Sequence, residues 1–156
     1  MKKVISAAAL GLFFLSTAFE CGREVDCCVP PPCTENASLD GTWKLEQFQN
    51  ISTGTSDPDP NVEGKSVIYT FDDDQREGSI TGHTFVNTVM GSYTLGAGCT
   101  IKVNGFGGSK VGEPEWSRKA WFPSDSAALG NYSVVKDKLV IRFGQSPEQL
   151  VFKKQK

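Results

Sequence analysis

The sequence predicts a small all-β domain, an antiparallel barrel or sandwich with one short helix. Polar and apolar residues alternate along several short segments, as they do in strands that bury one face. Turn residues recur roughly every eight to twelve positions, which is the spacing of antiparallel all-β folds. The chain has 156 residues. It is therefore expected to form one domain, because two halves would be too small to bury good cores.

The strand pattern begins at the expected start of the folded domain, residues 39–156. In the first strand, Trp43, Leu45 and Phe48 are expected near one buried face. The segment Ser52–Gly64 is rich in Ser, Thr, Asp, Pro and Gly, which predicts a long exposed loop. The predicted strands are Thr42–Phe48, Ser66–Phe71, Ser79–Thr84, Thr88–Leu95, Thr100–Val103, Asn131–Val135, Lys138–Phe143 and Gln149–Lys153.

One segment departs from the strand pattern. Glu113–Phe122 carries its acidic residues and a proline early and a basic pair later, which suits the helix dipole and predicts a short helix. Pro123 is expected to end it. The aromatic residues Trp116, Trp121 and Phe122 suit a platform for sugars or apolar ligands. The preferred interpretation is that they pack over the mouth of the barrel.

The net charge is −2, with a single histidine. The chain therefore lacks the basic surplus that binds nucleic acid and the residues for a multi-histidine metal site. Asp72–Asp74 is interpreted as a solvated hairpin turn rather than a calcium site, because it lacks the spacing of a calcium loop. Asn104–Lys110 has the wrong residue order for a phosphate-binding loop and is expected to be a flexible turn. His83 has no evident nucleophile beside it, so no catalytic residue, metal site or cofactor is predicted.

The first twenty residues have the layout of a secretory signal peptide. The positive Met1–Lys3 precedes the apolar stretch Val4–Leu15, which is too short for a membrane span. Small residues up to Ala18 suit an ordinary signal peptidase. Cys21 stands where a bacterial lipoprotein carries its lipidated cysteine. We therefore expect a signal peptide over 1–20 and an exported, lipid-anchored protein, or cleavage after Ala18 and a soluble exported one.

The cysteine count bears on that choice, because five cysteines leave one unpaired in an exported protein. If Cys21 carries lipid, the other four can form two disulfides in three ways. Those four are Cys27, Cys28, Cys33 and Cys99. The first three lie in a Pro-rich tether, residues 21–38, and a bond to the fourth would fasten that tether to the domain. A zinc site is the weaker alternative, since paired C-x-x-C spacing and a nearby histidine are missing.

Two central segments, Ser79–Asn87 and Gly91–Tyr93, carry a spaced set of Gly, Asn and Tyr residues. They are similar to the G-x-x-G…N…G-x-Y core of the META-domain family, which includes the HslJ-like bacterial lipoproteins. Leu39–Leu45 resembles its first strand and Tyr132–Ile141 its ending, so the resemblance covers nearly all of the chain from residue 39. The matching motif residues are Gly82, Asn87, Gly91 and Tyr93.

The resemblance implies a lipocalin-like β-barrel, exported and frequently lipid-anchored, with no established enzymatic activity. Gly41-Thr42-Trp43 is also similar to the G-x-W of the first lipocalin strand, whose Trp packs beneath an Arg of the last strands. Arg142 is the arginine of the closing strands here, so a Trp43–Arg142 pair is expected to close the barrel.

Together these observations predict a cell-envelope lipoprotein domain of the META type, without enzymatic activity. Its role is expected to be structural or protein-binding, and its partners are the membrane, through Cys21, and an unknown protein. The alternative is a lipocalin-like carrier of a small apolar ligand. A barrel cavity of several hundred Å³ would favour carriage. An interior filled by Tyr69, Phe71, Ile80 and their neighbours would favour the structural or protein-binding role.

Overall fold

The structure is a computed structural model that describes residues 37–125 and 128–156. Within these residues, no helix is long and apolar enough to cross a membrane. Outside them lie the predicted signal peptide (1–20) and four cysteines of the predicted tether: Cys21, Cys27, Cys28 and Cys33.

The described chain is almost entirely strand and turn, with one short helix. The elements are β1 Gly41–Asn50, β2 Ser56–Pro58, β3 Ile68–Asp73, β4 Glu77–His83, β5 Thr88–Gly96, β6 Thr100–Gly108, α1 Glu115–Arg118, β7 Leu129–Val135, β8 Lys138–Phe143 and β9 Glu148–Lys154.

The strands form one antiparallel sheet that closes on itself. From β3 to β9 each strand lies beside the next one in the chain, and β1 pairs with both β3 and β9 to complete the ring. The short β2 lies beside the second half of β1, along the edge whose first half pairs with β3. The protein is therefore an up-and-down β-barrel, which confirms the predicted fold class.

The interior of the barrel is filled by side chains of alternate strand positions. Tyr69, Phe71, Ile80, Tyr93 and Ile141, which the sequence placed inside, are each at most 1% exposed. Burying this apolar and aromatic surface supplies the main stabilising contribution to the fold.

A β-bulge explains how the first strand buries Phe48 together with Trp43 and Leu45. Strict alternation would place Phe48 on the opposite face from Leu45. The pairing of β1 with β9 shifts between Leu45 and Gln47, so one extra residue enters β1 there. That residue restores the inward direction, and Phe48 is 2% exposed.

Three segments differ from the sequence prediction. The expected loop Ser52–Gly64 contains β2, and the expected turn Asn104–Lys110 is mostly strand, because β6 continues to Gly108 opposite β5. A register shift opposite Ser92 and Tyr93 turns Phe106 inward within this glycine-rich strand. The predicted helix over Glu113–Phe122 is shortened to α1, since later amides bond three residues back instead of four.

Candidate functional site

The segment between β6 and β7 crosses one end of the barrel. These two strands pair where Thr100–Lys102 meets Leu129–Asn131, and one further backbone bond joins Val103 N to Ala128 O at 3.0 Å; the barrel wall is open beyond that bond. We call Glu113–Phe122, the part that covers this opening, the strap. It contains α1 and ends with an aromatic side chain inside the barrel.

Phe122 occupies the centre of the covered end and is 4% exposed. Its ring centroid lies 5.1 to 6.5 Å from the centroids of five rings that belong to the barrel strands. Those rings belong to Tyr69, Phe71, Phe106, Phe143 and Phe152. Because it comes from outside the strands, Phe122 acts as a plug between them.

Asn87 holds the chain that leads into the strap. Its side chain is buried at 2% exposure. The Oδ1 atom accepts hydrogen bonds from Val111 N at 2.7 Å and from Ser109 Oγ at 3.1 Å. The Nδ2 atom donates to Val111 O at 2.9 Å and to Glu113 Oε1 at 3.1 Å. All of the bonding groups of this side chain therefore connect the β4–β5 turn to the residues that follow β6.

Glu113 joins the two ends of the strap. Its Oε1 atom also accepts a hydrogen bond from Trp121 Nε1 at 2.6 Å, the short distance of a charge-assisted bond. Its Oε2 atom is buried and has no hydrogen-bond partner among the described residues. The closed strap therefore holds a carboxylate oxygen away from bulk solvent without a protein hydrogen bond, which is unfavourable.

Tyr69 contacts the strap from inside the barrel. Its hydroxyl donates to Ala120 O at 2.9 Å. Burial, and secondarily the charge of Glu113, raises the pKa of the Tyr69 phenol well above its usual value. The phenol thus stays neutral and keeps donating this hydrogen bond over the physiological pH range.

Trp116 and Lys119 fasten the outer side of the strap. The Trp116 ring stacks on Phe85 at 5.5 Å and meets the edge of Phe48 at 5.3 Å. Lys119 Nζ lies 4.4 Å from the centre of the Phe48 ring and pairs with Glu148 at 2.8 Å. It also pairs with Asp57 at 3.3 Å.

Burial alone would lower the pKa of Lys119, but its hydrogen bonds to Glu148 and Asp57 outweigh burial and raise it. The predicted ligand aromatics Trp116, Trp121 and Phe122 are all engaged with the barrel. This is the packing that the sequence favoured over a sugar platform.

Trp43 lies at the opposite end of the barrel, and its cation partner corrects the prediction. Trp43 is 1% exposed, and its Nε1 donates to Leu39 O at 2.7 Å. The cation over its ring is Lys154, with Nζ 5.3 Å from the ring centre, and not Arg142. Arg142 follows the inward-facing Ile141 in β8, so strand alternation directs its side chain to the outer face.

The carboxylate of Asp73 organises this opposite end. Its Oδ2 atom accepts hydrogen bonds from Leu39 N at 2.8 Å and Tyr93 Oη at 2.9 Å. Its Oδ1 atom accepts from Gln75 N at 2.8 Å and Ser38 Oγ at 3.1 Å. The tether therefore enters the domain at this end, which we call the entry end. Burial, and secondarily the hydrogen bond to Asp73, raises the pKa of Tyr93.

The other acidic and titratable candidates have structural partners. Asp74 Oδ1 accepts hydrogen bonds from the amides of Glu77 and Arg76, both at 3.0 Å, and these bonds lower the Asp74 pKa. His83 Nδ1 lies 3.0 Å from Thr84 O. Among the described residues, no group of three or more His, Cys, Asp or Glu side chains is arranged to hold a metal ion.

Cys99 lies at the entry end, in the turn before β6, with 2% exposure. Its carbonyl accepts the amide of Tyr132 at 2.9 Å. The Tyr132 hydroxyl in turn donates to Ala37 O at 2.8 Å, so Cys99 lies near the point where the tether arrives. The cysteines predicted to pair with it lie outside the described residues.

The four motif residues lie in the central strands and the turn between them. Tyr93 bonds Asp73, and Asn87 bonds the chain before the strap. Gly82 faces the backbone of Ile68 so closely that a side chain would collide with its carbonyl. Gly91 approaches the Gly105 carbonyl, which would lie 2.6 Å from an added Cβ. These residues thus position the strands and the strap rather than forming a reactive centre.

A small surface pocket of about 170 Å³ is lined by Glu46, Asp137, Lys138, Phe152 and Lys153. It lies where the β1 bulge passes the β7–β8 turn, away from the strap. It is smaller than the roughly 300–1,000 Å³ of typical ligand sites.

Sequence reasoning missed Glu113 as the residue that connects the strap. The sequence did contain a signal for this role. Glu113 directly precedes a proline and a cluster of aromatic residues, and such a cluster indicates a segment that packs against the domain rather than an exposed loop.

Comparison with known proteins gives the fold and nothing more specific. No family model and no curated protein matches the chain. The fold is similar to the NMR structure of a protein from Burkholderia xenovorans, with a TM-score of 0.55 at 14% identity over 99% of both chains. It is also similar to the crystal structure of a DUF4847 family protein from Bacteroides vulgatus, with a TM-score of 0.51 at 16% identity. That match covers 75% of this chain and 95% of the other.

Proposed function

We propose that the protein is a lipid-anchored module of the bacterial cell envelope, related to the META domain, with a structural or protein-binding role and no enzymatic activity. The filled interior favours the structural or protein-binding role over ligand carriage. The rings around Phe122 occupy the space in which a carrier would hold its ligand. The signal-peptide layout and the position of Cys21 support the anchor.

The entry end supports the tethered arrangement. Hydrogen bonds from Tyr132 to Ala37 and from Ser38 to Asp73 fix the last residues of the tether to the barrel. The lipid anchor would therefore be connected to a part of the domain that is held in place by these hydrogen bonds. A disulfide between Cys99 and one of Cys27, Cys28 and Cys33 belongs to the same proposal, and the burial of Cys99 beside the tether supports it.

The strap end supports a protein-binding role. Apolar side chains in four loops and turns of this end are between 38% and 60% exposed, and in this proposal they contact the partner protein. They belong to Ile51, Val62, Val86 and Val111. Since the tether enters at the other end, this surface would face away from the membrane.

The anchor is tested by fractionation of cells that express the full chain in a bacterial host. We expect the wild type to sediment with membranes and to dissolve only in detergent. Cys21→Ala should move to the soluble exported fraction, whereas the matched variant Cys33→Ala should stay with membranes. A soluble wild type, or a membrane-bound Cys21→Ala, would contradict the proposal.

A second candidate function, carriage of a small apolar ligand, is favoured by one observation. Phe122, which fills this end, belongs to the strap and not to a strand, and β6 and β7 pair over only three residues on this side. The five rings around Phe122 would line a ligand site once it had left. Carriage would therefore require Phe122 to leave.

A further inference from the structure

We propose that the strap is displaceable and that Phe122 holds the place of a ligand, a small uncharged molecule with one aromatic ring. This inference rests on the second candidate function and is independent of the lipid anchor. Its site is the pocket formed by the ring faces of Tyr69, Phe106, Phe143 and their neighbours at the strap end.

The chemistry of the pocket defines the ligand class. The surroundings of Phe122 are aromatic rings at the centroid distances of edge-to-face and tilted ring pairs. The nearby polar group is the Tyr69 hydroxyl, whose acceptor Ala120 O, at 2.9 Å, belongs to the strap and leaves with it. One neutral hydroxyl does not replace the hydration of a charged ligand, whereas a neutral ring would regain the contacts that Phe122 makes.

The route into the pocket is the opening in the barrel wall. Beyond Thr100–Lys102 and the bond from Val103 N to Ala128 O, β7 no longer pairs with β6, and the segment after β6 covers the gap. Phe122 can therefore leave without breaking a strand pair, while the Tyr69–Ala120 hydrogen bond breaks and the outer contacts of Trp116 hold the start of the strap. The strap has a single four-residue helix, and no side chain caps that helix at Pro114.

Glu113 both stabilises and destabilises the closed state of the strap, through its two carboxylate oxygens. Its Oε1 atom bonds Asn87 and Trp121, while its buried Oε2 atom has no hydrogen-bond partner among the described residues. Opening would expose Oε2 to water and recover its hydration, which offsets part of the loss of the two bonds. The closed and open states are thereby closer in free energy than the ring packing and the two full hydrogen bonds would make them.

Binding of fluorobenzene, followed by ¹⁹F NMR, tests the proposal on the purified, folded chain. The apparent affinity of the wild type is reduced in proportion to the open fraction. Glu113→Ala should bind about tenfold more tightly or better, because it removes a charged hydrogen-bond pair that holds the strap closed. The matched variant Glu115→Ala, whose exposed carboxylate lies outside this pair, should bind as the wild type does.

Trp121→Phe serves as a second loosening variant, since it removes the Nε1 bond and keeps an aromatic ring. Phe122→Ala should bind most tightly of all. In the wild type, fluorobenzene should shift the Trp121 indole N–H resonance, because the bond to Glu113 opens. If Phe122→Ala alone binds, the pocket is an artificial cavity and the proposal is overturned. Equal affinity of Glu113→Ala, Trp121→Phe and wild type would overturn it as well.

Discussion

Trp121 Nε1 donates a 2.6 Å hydrogen bond to Glu113 Oε1, and this bond closes the strap on itself. The two residues stand at the ends of a segment whose helix spans only Glu115–Arg118. The position of the strap therefore depends on side-chain bonds more than on its own backbone structure.

Replacement of Glu113 should destabilise the protein by about 1.5–3 kcal/mol, the range for a lost hydrogen bond to a charged group. Glu113→Ala removes the acceptor of both Trp121 Nε1 and Asn87 Nδ2. Urea unfolding measures the change. Glu115→Ala is the control, and its stability should stay within about 0.5 kcal/mol of the wild type. Similar losses in both variants would show that the carboxylate position is unimportant.

Asn87→Asp should lower the free energy of unfolding more at neutral pH than at acidic pH. The new carboxylate would replace the amide that donates to Glu113 Oε1 at 3.1 Å, inside a site that is 2% exposed. Repulsion and burial would raise its pKa, so the difference in stability from wild type should grow as the pH rises through that pKa. Urea unfolding at pH 4 and pH 7 tests this, with Asn87→Ala as the uncharged control. A difference from wild type that is independent of pH would contradict the site geometry.

The tyrosines should resist ionisation until the protein unfolds. The chain has three, and each has a raised pKa, caused first by burial; for Tyr132 the pKa is raised to about 12. A raised folded-state pKa stabilises the fold fully below the unfolded value near 10. That stability is lost as the pH rises from about 10 through the folded value.

Phenolate absorbance near 295 nm measures this titration. We expect little phenolate below about pH 11 in the native protein, and titration of all three tyrosines near pH 10 in concentrated denaturant. Native titration near pH 10 would show that the phenols are exposed.

Lys154 should matter more for stability than Arg142. Lys154 Nζ lies 5.3 Å from the centre of the Trp43 ring and donates to Asp40 O at 2.9 Å. Lys154→Ala should lower the free energy of unfolding by about 0.5–1 kcal/mol, the range for an exposed cation–π pair. Thermal unfolding measures the change. Arg142→Ala should change stability less. A larger loss of stability in Arg142→Ala than in Lys154→Ala would contradict the Lys154–Trp43 contact and favour the Trp43–Arg142 pair that the sequence predicted.

The strands were predictable because alternation and turn residues report on which face of a strand is buried. Tyr69, Phe71 and Ile141 follow this pattern and were placed correctly inside. The partner of Trp43 could not be read in the same way. Lys154 is the last residue of β9, and it lies opposite Trp43 of β1. Whether Lys154 or Arg142 reaches the ring depends on the register between distant strands, which the sequence pattern does not give.

The candidate site was predicted in part. The sequence marked Trp116, Trp121 and Phe122 as aromatics that pack over the barrel, and they do. It did not identify Glu113, because its role depends on Asn87, which is distant in the chain and meets it only after β5 and β6 have paired.

The identity of the mature N-terminus tests the central proposal, a lipid-anchored envelope module, most directly. Mass spectrometry of the protein purified from bacterial membranes should find Cys21 as the first residue, carrying acyl chains. Two or three such chains hold a protein firmly at a membrane. An unmodified mature chain that begins at Phe19 would contradict the anchor.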